Sequence, residues 1–377
     1  MNIGVNLIGG IRHRWGGRVY AQNILKALAK IDRKNRYFLF LSSPQDDIFD
    51  IKEDNFQRVV CCCLAEKGDL AKLLVEQICL PFVIRKYHID VLFSPCNLAP
   101  IFTRAKKIII VQDLRFFYGV DSFWRNTVKK PIFKLVLKSC QKIIVASIHT
   151  HQDVVKFIKL PPMKLKIISD PVDIKFFSQP LFNPEKTLEK YKINRGQKYL
   201  LFVSAHYPWK NIHALIGVFH ILKNKYRIPH KLVLIGSFDL CSTPRLKVLA
   251  RKLNLGNDIL FLGSVGIEEL AVFYQKADVF TFPSLFEGFG LPLVEAMASA
   301  IPIVAFDTTT SPEIIRDVGL LVEAGDEEEF AKAVWRIIED EKLREDLVNK
   351  GRERAKDFSP EKIAPQVLKE IEALYDK

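Results

Sequence analysis

The stretch TFPSLFEGFGLPLVEAMASAIP, residues 281–302, joins a buried strand, a glycine turn and a helix without a break. The N–H groups of such a turn and of the first helical turn lack helical partners, and the helix dipole adds partial positive charge. Gly288 and Gly290 allow the main chain to approach a ligand closely. The stretch is therefore typical of a phosphate-binding unit.

Two carboxylates, Glu287 and Glu295, flank this turn at a spacing of eight residues. Carboxylates accept hydrogen bonds from sugar hydroxyls, so acids beside a phosphate cradle indicate a nucleotide-sugar site. Isolated acids are usually solvated surface residues, which is the alternative interpretation. The small residues of the 296–300 stretch, which allow close helix packing, favour the site.

This segment closely resembles the E-x7-E signature of the retaining glycosyltransferases called family 4, or group 1. The acid spacing, the GFGLP insert and the preceding FPS all agree. The resemblance covers nearly the whole chain, including the opening strand, glycine loop and helix at 1–28, the strand, loop and helix at 199–219, and a base-binding loop at 259–264. It implies the GT-B fold, in which two Rossmann-like domains face a cleft.

The pattern along the chain independently predicts an α/β protein with two doubly wound domains. The length of 377 residues, 49% of them apolar, suits two hydrophobic cores. Apolar strand runs alternate with helical patterns, which predicts parallel sheets. The predicted strands are 3–7, 37–41, 91–94, 108–111 and 143–146, then 199–204, 231–235, 259–262, 279–282 and 303–305.

These strands divide the chain into an acceptor-side domain at 1–172 and a nucleotide-sugar-binding domain at 190–359. Residues 171–190 carry three prolines and little apolar periodicity, so we place the hinge there. The family resemblance further implies that a C-terminal helix, 360–377, crosses back to the first domain.

The excess of positive charge lies entirely in the first half of the chain. Residues 1–180 carry a net charge of +14 and residues 181–377 a net charge of −1. The first domain is therefore expected to meet an anionic partner. An acidic acceptor or a phospholipid surface fits, whereas no nucleic-acid-binding motif accompanies the charge.

Four lysines within this half, Lys130, Lys134, Lys138 and Lys142, recur every four residues beside apolar positions. The spacing predicts an amphipathic helix that lies on anionic lipid. An ordinary solvated helix face is the equally weighted alternative.

The sequence predicts a cytoplasmic protein, with peripheral association on the inner face of the cell membrane left open. No apolar run reaches 18 residues, and the N-terminal segment lacks the plan of a signal peptide. The seven cysteines are odd in number and without metal-ligand spacing, so we expect reduced, mostly buried thiols.

The loop AHYPWKN at 205–211 follows a strand that ends at Ser204, and it resembles the family's phosphate loop. Lys210 is expected to neutralise the diphosphate as it departs. Trp209 stands where the family usually supplies an arginine, so part of the electrostatic assistance is missing. A protonated His206 is a candidate substitute.

The resemblance also assigns roles around the donor. Ser264 and Val265 offer backbone groups to the nucleobase, and Glu295 binds the ribose hydroxyls. Glu287 contacts the transferred sugar and stabilises the developing oxocarbenium ion. The remaining donor-binding positions are Ser204, Gly288, Phe289, Gly290 and Leu291.

Two further candidate segments lie in the first domain. Gly16 and Gly17 follow the first strand and can bring N–H groups to the donor phosphate, while Arg18 can replace the arginine absent at position 209. Gln112 and Asp113 end another strand where many relatives carry a His-Asp pair. Gln112 can hydrogen-bond a sugar but cannot titrate, and Asp113 is catalytic or merely holds the loop.

Together these observations predict a retaining glycosyltransferase. It moves a hexose from a nucleoside diphosphate sugar to a hydroxyl of a cell-envelope glycan or lipid-linked acceptor, with catalytic candidates Glu287, Lys210, Gln112 and Asp113. No cofactor or metal is expected, since Lys210, Arg18 and helix N-termini can supply the positive charge. A non-catalytic nucleotide-sugar-binding subunit and a nucleotide-sugar epimerase of the same fold are the alternatives.

Overall fold

The computed structural model describes residues 1–8, 16–43, 51–95, 97–119, 123–181 and 183–375. The chain forms two compact units. The first comprises Met1–Val172 together with Ser359–Lys377, and the second comprises Asp173–Phe358. Each unit has its own parallel β-sheet and hydrophobic core.

The first unit contains a seven-stranded sheet in the order β3-β2-β1-β4-β5-β6-β7, and every neighbouring pair is parallel. Its central strands are continuous apolar runs because helices cover both faces. The strands are β1 (Asn2–Asn6), β2 (Arg36–Leu41), β3 (Phe56–Val60), β4 (Val91–Ser94), β5 (Lys106–Val111), β6 (Lys142–Val145) and β7 (Leu165–Ile167).

Helices connect these strands on the two sides of the sheet. They are α1 (Gly16–Ile31), α2 (Asp69–Leu74), α3 (Leu80–Lys86), α4 (Phe123–Ser139) and α5 (Ile148–Ile158). A π-helical turn, Val75–Cys79, joins α2 to α3 without interruption. Short 3-10 turns span Cys63–Lys67, Arg115–Tyr118 and Pro162–Lys164.

The second unit begins with α6 (Ile174–Ser178) and α7 (Pro184–Lys190) and contains a six-stranded parallel sheet in the order β10-β9-β8-β11-β12-β13. The strands are β8 (Tyr199–Val203), β9 (Lys231–Ile235), β10 (Ile259–Gly263), β11 (Val279–Phe282), β12 (Ile303–Phe306) and β13 (Leu320–Val322). The helices are α8 (Ile212–Asn224), α9 (Ser242–Lys252), α10 (Ile267–Lys276), α11 (Leu291–Ala298), α12 (Ser311–Ile315), α13 (Glu327–Glu339) and α14 (Glu341–Ala355).

The last helix, α15 (Pro360–Tyr375), packs on α1 in the first unit. Its residues Ile363, Val367 and Ile371 share a fully buried core with Ile24 and Leu28. Their spacing of three to four residues is that of one helical face.

The segment 171–190, predicted as a linker, is largely helical. Asp173 caps α6 by accepting a hydrogen bond from the N–H of Phe176, and Phe177 packs edge-on against Tyr274 at 5.7 Å. Helices of five and seven residues are too short to display an apolar period, which explains why the pattern missed them.

The sequence pattern also missed three strands, β3, β7 and β13. All three are edge strands. Strands β7 and β13 have only three residues each, and the FQRVV of β3 has polar residues at two of its five positions. An edge strand meets solvent on one side, so its sequence carries a weaker signal.

The predicted basic stripe is not a single helical face. Lys130 and Lys134 lie over the ring of Phe117, each 5.6 Å from its centroid. Lys142 lies beyond the end of α4, in β6, where it forms a 2.9 Å ion pair with Glu370. Of the described helices, none has the length and apolar character that a membrane span requires.

Chain order fixes where each unit can bind a ligand. In the second sheet β8 lies between β9 and β11, so the connections leaving β8 and β11 diverge. Such a switch point opens a crevice at the carboxyl ends of the strands, the usual ligand position in open α/β sheets. The loops at 204–211 and 283–290 border this crevice.

Candidate active site

An ion pair joins the two loops that border the crevice of the second unit. The Lys210 ammonium donates a 2.6 Å hydrogen bond to Oε1 of Glu287. Only 15% of the Lys210 side chain and 10% of the Glu287 side chain are exposed. The structure thus brings together the two catalytic candidates predicted for this unit.

Hydrogen bonds to the main chain of Trp209 hold the two loops next to each other. The N–H of Leu285 donates to the carbonyl of Trp209 at 2.8 Å, and the Ser284 hydroxyl reaches the same carbonyl at 3.4 Å. The Trp209 ring stacks on Tyr207 with centroids 4.6 Å apart. Trp209, at the position where the family usually has an arginine, therefore stabilises the loop that carries Lys210.

The lysine itself closes a 3-10 turn, Pro208–Lys210, that leads into α8. Asn211 takes the left-handed conformation, with φ 56°, and redirects the chain into the helix. At Gly236, after β9, an added Cβ would lie 1.8 Å from the carbonyl oxygen of Ser204. Only glycine allows this approach, which fixes the start of the lysine loop.

Three consecutive threonines after β12 clamp the loop that carries Glu287. The Thr308 hydroxyl donates to the carbonyl of Ser284 at 2.6 Å, and the Thr310 hydroxyl donates to the carbonyl of Phe289 at 2.9 Å. Between them, Thr309 accepts the N–H of Glu287 at 3.1 Å. The clamp has a sequence signal that was not recognised, namely three consecutive hydroxyl residues after a strand that neighbours β11.

Helix α11 begins immediately after Gly290, whose φ of 96° only glycine adopts without strain. Gly288, Gly290 and Leu291 thus lie in the predicted turn between strand and helix. The side chain of Phe289 is 3% exposed and packs edge-on against Phe358 at 5.6 Å. Its predicted contribution to donor binding is therefore restricted to its backbone.

Glu295 lies in α11 and is 8% exposed. Its Oε2 accepts a 2.8 Å hydrogen bond from the buried hydroxyl of Tyr274. Burial and the Glu295 carboxylate raise the pKa of Tyr274, which keeps the phenol a donor. Tyr274 is a positioning residue that the sequence did not reveal, and the ribose contact of Glu295 stays a prediction.

His206 is not a substitute cation. Its ring is fully buried, with Nδ1 3.1 Å from the hydroxyl of Thr243. Burial, reinforced by the nearby Lys247 ammonium, lowers its pKa to about 4. The imidazole is therefore neutral at physiological pH, and the expectation of a protonated His206 is wrong.

The predicted base-binding residues Ser264 and Val265 follow β10 directly. Gly266 starts α10, and its N–H donates to Glu269 at 2.9 Å. The half-exposed ring of Phe238 packs beside Gly263, where a Cβ would lie 3.4 Å from the ring. An aromatic side chain thus borders the predicted base site.

In the first unit, Gln112 and Asp113 follow β5 as predicted. The N–H of Gln112 donates to Oδ1 of Asn97, and its side-chain amide lies 3.5 Å from Oδ1 of Asp170. Burial raises the pKa of Asp170 to about 7, while the Gln112 amide opposes the shift. Asp113 accepts a hydrogen bond from the N–H of Arg115. This contact is the one expected if Asp113 holds the loop, which was the alternative to a catalytic role.

Gly16 and Gly17 open helix α1, and Arg18 lies in its first turn. The preceding Arg12 and Arg14 lie outside the described residues. Among the described residues, no three His, Cys, Asp or Glu side chains are grouped as a metal site requires. The six described cysteines are free, and only Cys140 is buried, so the expectation of mostly buried thiols is wrong.

Known proteins resemble the second unit, which contains the Lys210–Glu287 ion pair. Residues 183–354 match the family model described as glycosyl transferases group 1. The O-antigen chain mannosyltransferase RfbU of Salmonella typhimurium is 29% identical over 229 residues, which cover 61% of this chain and 60% of that protein.

A second relative comes from Campylobacter jejuni. It is the N-acetylgalactosamine-N,N'-diacetylbacillosaminyl-diphospho-undecaprenol 4-alpha-N-acetylgalactosaminyltransferase, 30% identical over 249 residues, or 65% of this chain and 64% of that protein. The chain thus aligns with somewhat under two thirds of the length of these curated relatives.

Solved structures match the whole chain. Sucrose-phosphate synthase from Thermosynechococcus elongatus has a TM-score of 0.79 at 21% identity, with 100% of this chain and 99% of that chain covered. Anabaena Alr3699/HepE, solved in complex with UDP and glucose, has a TM-score of 0.78 at 18% identity, with 99% of each chain covered. These likenesses confirm the predicted fold of two doubly wound α/β domains.

Proposed function

We propose that the protein transfers a hexose from a nucleoside diphosphate sugar to a hydroxyl of a cell-envelope glycan or lipid-linked acceptor, because residues 183–354 match the family model described as glycosyl transferases group 1. The transfer retains the anomeric configuration. The ion pair between Lys210 and Glu287, at the switch point of the second sheet, is the observation that carries the proposal.

In the proposed reaction, Lys210 neutralises the leaving diphosphate. An ammonium has three donor hydrogens, and one hydrogen bond to Glu287 leaves the others for phosphate oxygens. The N-terminus of α11 adds partial positive charge on the same side of the crevice. Charge that develops as the diphosphate departs then meets groups that are already in place.

Glu287 serves the sugar in this scheme. Thr309 fixes its backbone and Lys210 fixes one carboxylate oxygen. The carboxylate accepts a sugar hydroxyl and stabilises the positive charge of an oxocarbenium-like transition state. The departing phosphate oxygen takes the proton of the acceptor hydroxyl on the same face, so no residue at position 112 has to titrate.

The named relatives support the choice of substrates. One is an O-antigen mannosyltransferase, another is a transferase whose name contains a diphospho-undecaprenol acceptor, and a structural neighbour was solved with UDP and glucose. A cytoplasmic location is part of the same proposal, and the six cysteines that the structure describes, all free, agree with a reducing compartment.

The test is acceptor-dependent release of nucleoside diphosphate. Purified protein is incubated with UDP-, GDP- and ADP-hexoses, with and without a bacterial glycolipid extract, and the product linkage is assigned by NMR. We expect release from one donor only when the extract is present, with the donor configuration retained in the product. An inverted linkage would contradict the retaining mechanism.

The same assay separates the alternatives. Release or rearrangement of the donor without an acceptor would indicate an epimerase. Tight binding of one donor without release on any extract would indicate a nucleotide-sugar-binding subunit.

A further inference from the structure

A row of exposed apolar side chains runs along the helical segment 70–86 of the first unit. Leu70, Leu74, Ile78 and Phe82 recur every four residues, and each is between 50% and 72% exposed. The segment is continuous through α2, the π turn and α3. Single exposed apolar residues are ordinary, whereas an aligned row marks an interaction surface.

The π turn keeps this row on one face. In a regular α-helix of 3.6 residues per turn, a spacing of four drifts steadily around the axis. The wider turn at Val75–Cys79 holds more than four residues and drifts in the opposite sense. Buried Glu76 anchors this turn to the sheet, since its Oε1 accepts a 3.1 Å hydrogen bond from Asn6.

A fifth apolar side chain extends the surface. The Gln77 amide donates to the carbonyl of Ala99 and accepts the N–H of Ile101, which ties the 97–105 loop to the helix. The next residue, Phe102, is 84% exposed. We call Leu70, Leu74, Ile78, Phe82 and Phe102 the apolar row.

The exposed charges within the helical segment 70–86 are of one sign, and acidic Asp69 lies just before it. From 70 to 86 the ionisable side chains are Lys72, Glu76, Arg85 and Lys86, and the sole acid, Glu76, is fully buried. Arg85 and Lys86 are exposed beside Phe82. Apolar side chains flanked by three cations complement an anionic lipid surface, whereas a contact with another copy would bring these like charges together.

We propose that the apolar row, together with Lys72, Arg85 and Lys86, docks the first unit on an anionic bilayer. The apolar side chains enter the headgroup boundary while the cations bind lipid phosphates. This inference rests on the proposed function only in choosing a lipid surface over another apolar partner. The apolar row takes the place of the lysines of α4 as the proposed lipid-binding surface, since two of those lysines lie over Phe117.

Vesicle cosedimentation tests this docking. The full chain is mixed with vesicles of phosphatidylcholine alone or with one third phosphatidylglycerol, at low and high salt. Wild type is expected to bind the anionic vesicles, more weakly at high salt. The apolar-row variant Leu74→Glu/Phe82→Glu is expected to lower the partition coefficient at least tenfold. The cation variant Arg85→Gln/Lys86→Gln is expected to lower it by roughly fivefold or more, and only on the anionic vesicles.

The controls use exposed residues elsewhere. Leu135→Glu and Leu240→Glu replace leucines that are 54% and 93% exposed outside the apolar row, and should bind like wild type. If the glutamate pair is poorly folded by circular dichroism, Leu74→Ser/Phe82→Ser takes its place.

Three results would overturn the docking surface. The first is that wild type binds no vesicles, and the second is that Lys134→Glu/Lys138→Glu loses binding while the apolar-row variants keep it. The third is that wild type is a dimer by light scattering and that Phe82→Glu converts it to a monomer. Because the vesicles contain neither donor nor acceptor, each leaves the proposed transfer reaction untouched.

Discussion

The Lys210 ammonium and Oε1 of Glu287 lie 2.6 Å apart, although 77 positions separate the two residues along the chain. The contact exists because β8 and β11 are neighbours in the sheet and their following loops meet at Trp209 and Leu285. In the proposed reaction, the cation for the diphosphate and the carboxylate for the sugar are thus already held together by the fold.

Replacement of Lys210 separates catalysis from stability. Lys210→Met should lower kcat about 100-fold or more, because the leaving diphosphate loses its nearest charge. It should also cost about 1–3 kcal/mol of stability, since it leaves the mostly buried Glu287 without its partner. Lys210→Met/Glu287→Gln should recover much of that stability but none of the activity, as measured by urea unfolding and initial rates. Additive losses of stability in the double variant would show that the ion pair does not couple the two residues.

The threonine clamp should govern catalysis through the placement of Glu287. Thr309→Ala removes the acceptor of the Glu287 N–H, so we expect roughly 1 kcal/mol of lost stability and a clear decrease in kcat with little change in KM. Thr309→Ser keeps the hydroxyl and should behave like wild type. Equal kinetics for the alanine and serine variants would remove the clamp from the mechanism.

Gly290 and Gly325 form a matched pair. Their φ angles are 96° and 98°, but a Cβ at Gly290 would lie 3.1 Å from Leu293, whereas nothing lies within 4 Å of one at Gly325. Both alanine variants should lose about 1–2 kcal/mol to backbone strain. Only Gly290→Ala should also weaken nucleotide binding, which calorimetric titration measures. Comparable binding losses in both variants would argue against a specific role for the turn before α11.

Asp170 should make stability depend on pH. Burial raises its pKa from 3.8 to about 7, so between these values the folded state holds a proton that the unfolded state releases. Stability should therefore fall as pH rises through this window, by about 1 kcal/mol per pH unit. Asp170→Asn lacks this dependence and should gain stability over wild type progressively from pH 4 to pH 7. A gain of constant size, followed in urea midpoints, would contradict the assignment.

Much of the fold was predictable because buried parallel strands are apolar runs, as in the KKIIIV of β5. The three-residue edge strand β13 and the five-residue helix α6 are too short to show a period, and the pattern missed them. The strand, turn and helix at 279–298 were predictable from the sequence. Their partners were not, because the contacts of Glu287 with Thr309 and of Glu295 with Tyr274 depend on tertiary packing. The burial that neutralises His206 has the same origin.

The most direct test of the donor site is the thermal stabilisation of the purified protein by UDP, GDP and ADP, with Mg²⁺ or EDTA, in wild type and Lys210→Met. A ligand of the native state raises Tm by mass action. One nucleotide should raise the Tm of wild type equally with Mg²⁺ and with EDTA, and at least tenfold more of it should be needed for the variant. No stabilisation by any of the three at millimolar concentration, or equal stabilisation of the variant, would contradict a nucleotide-sugar site centred on Lys210 and Glu287.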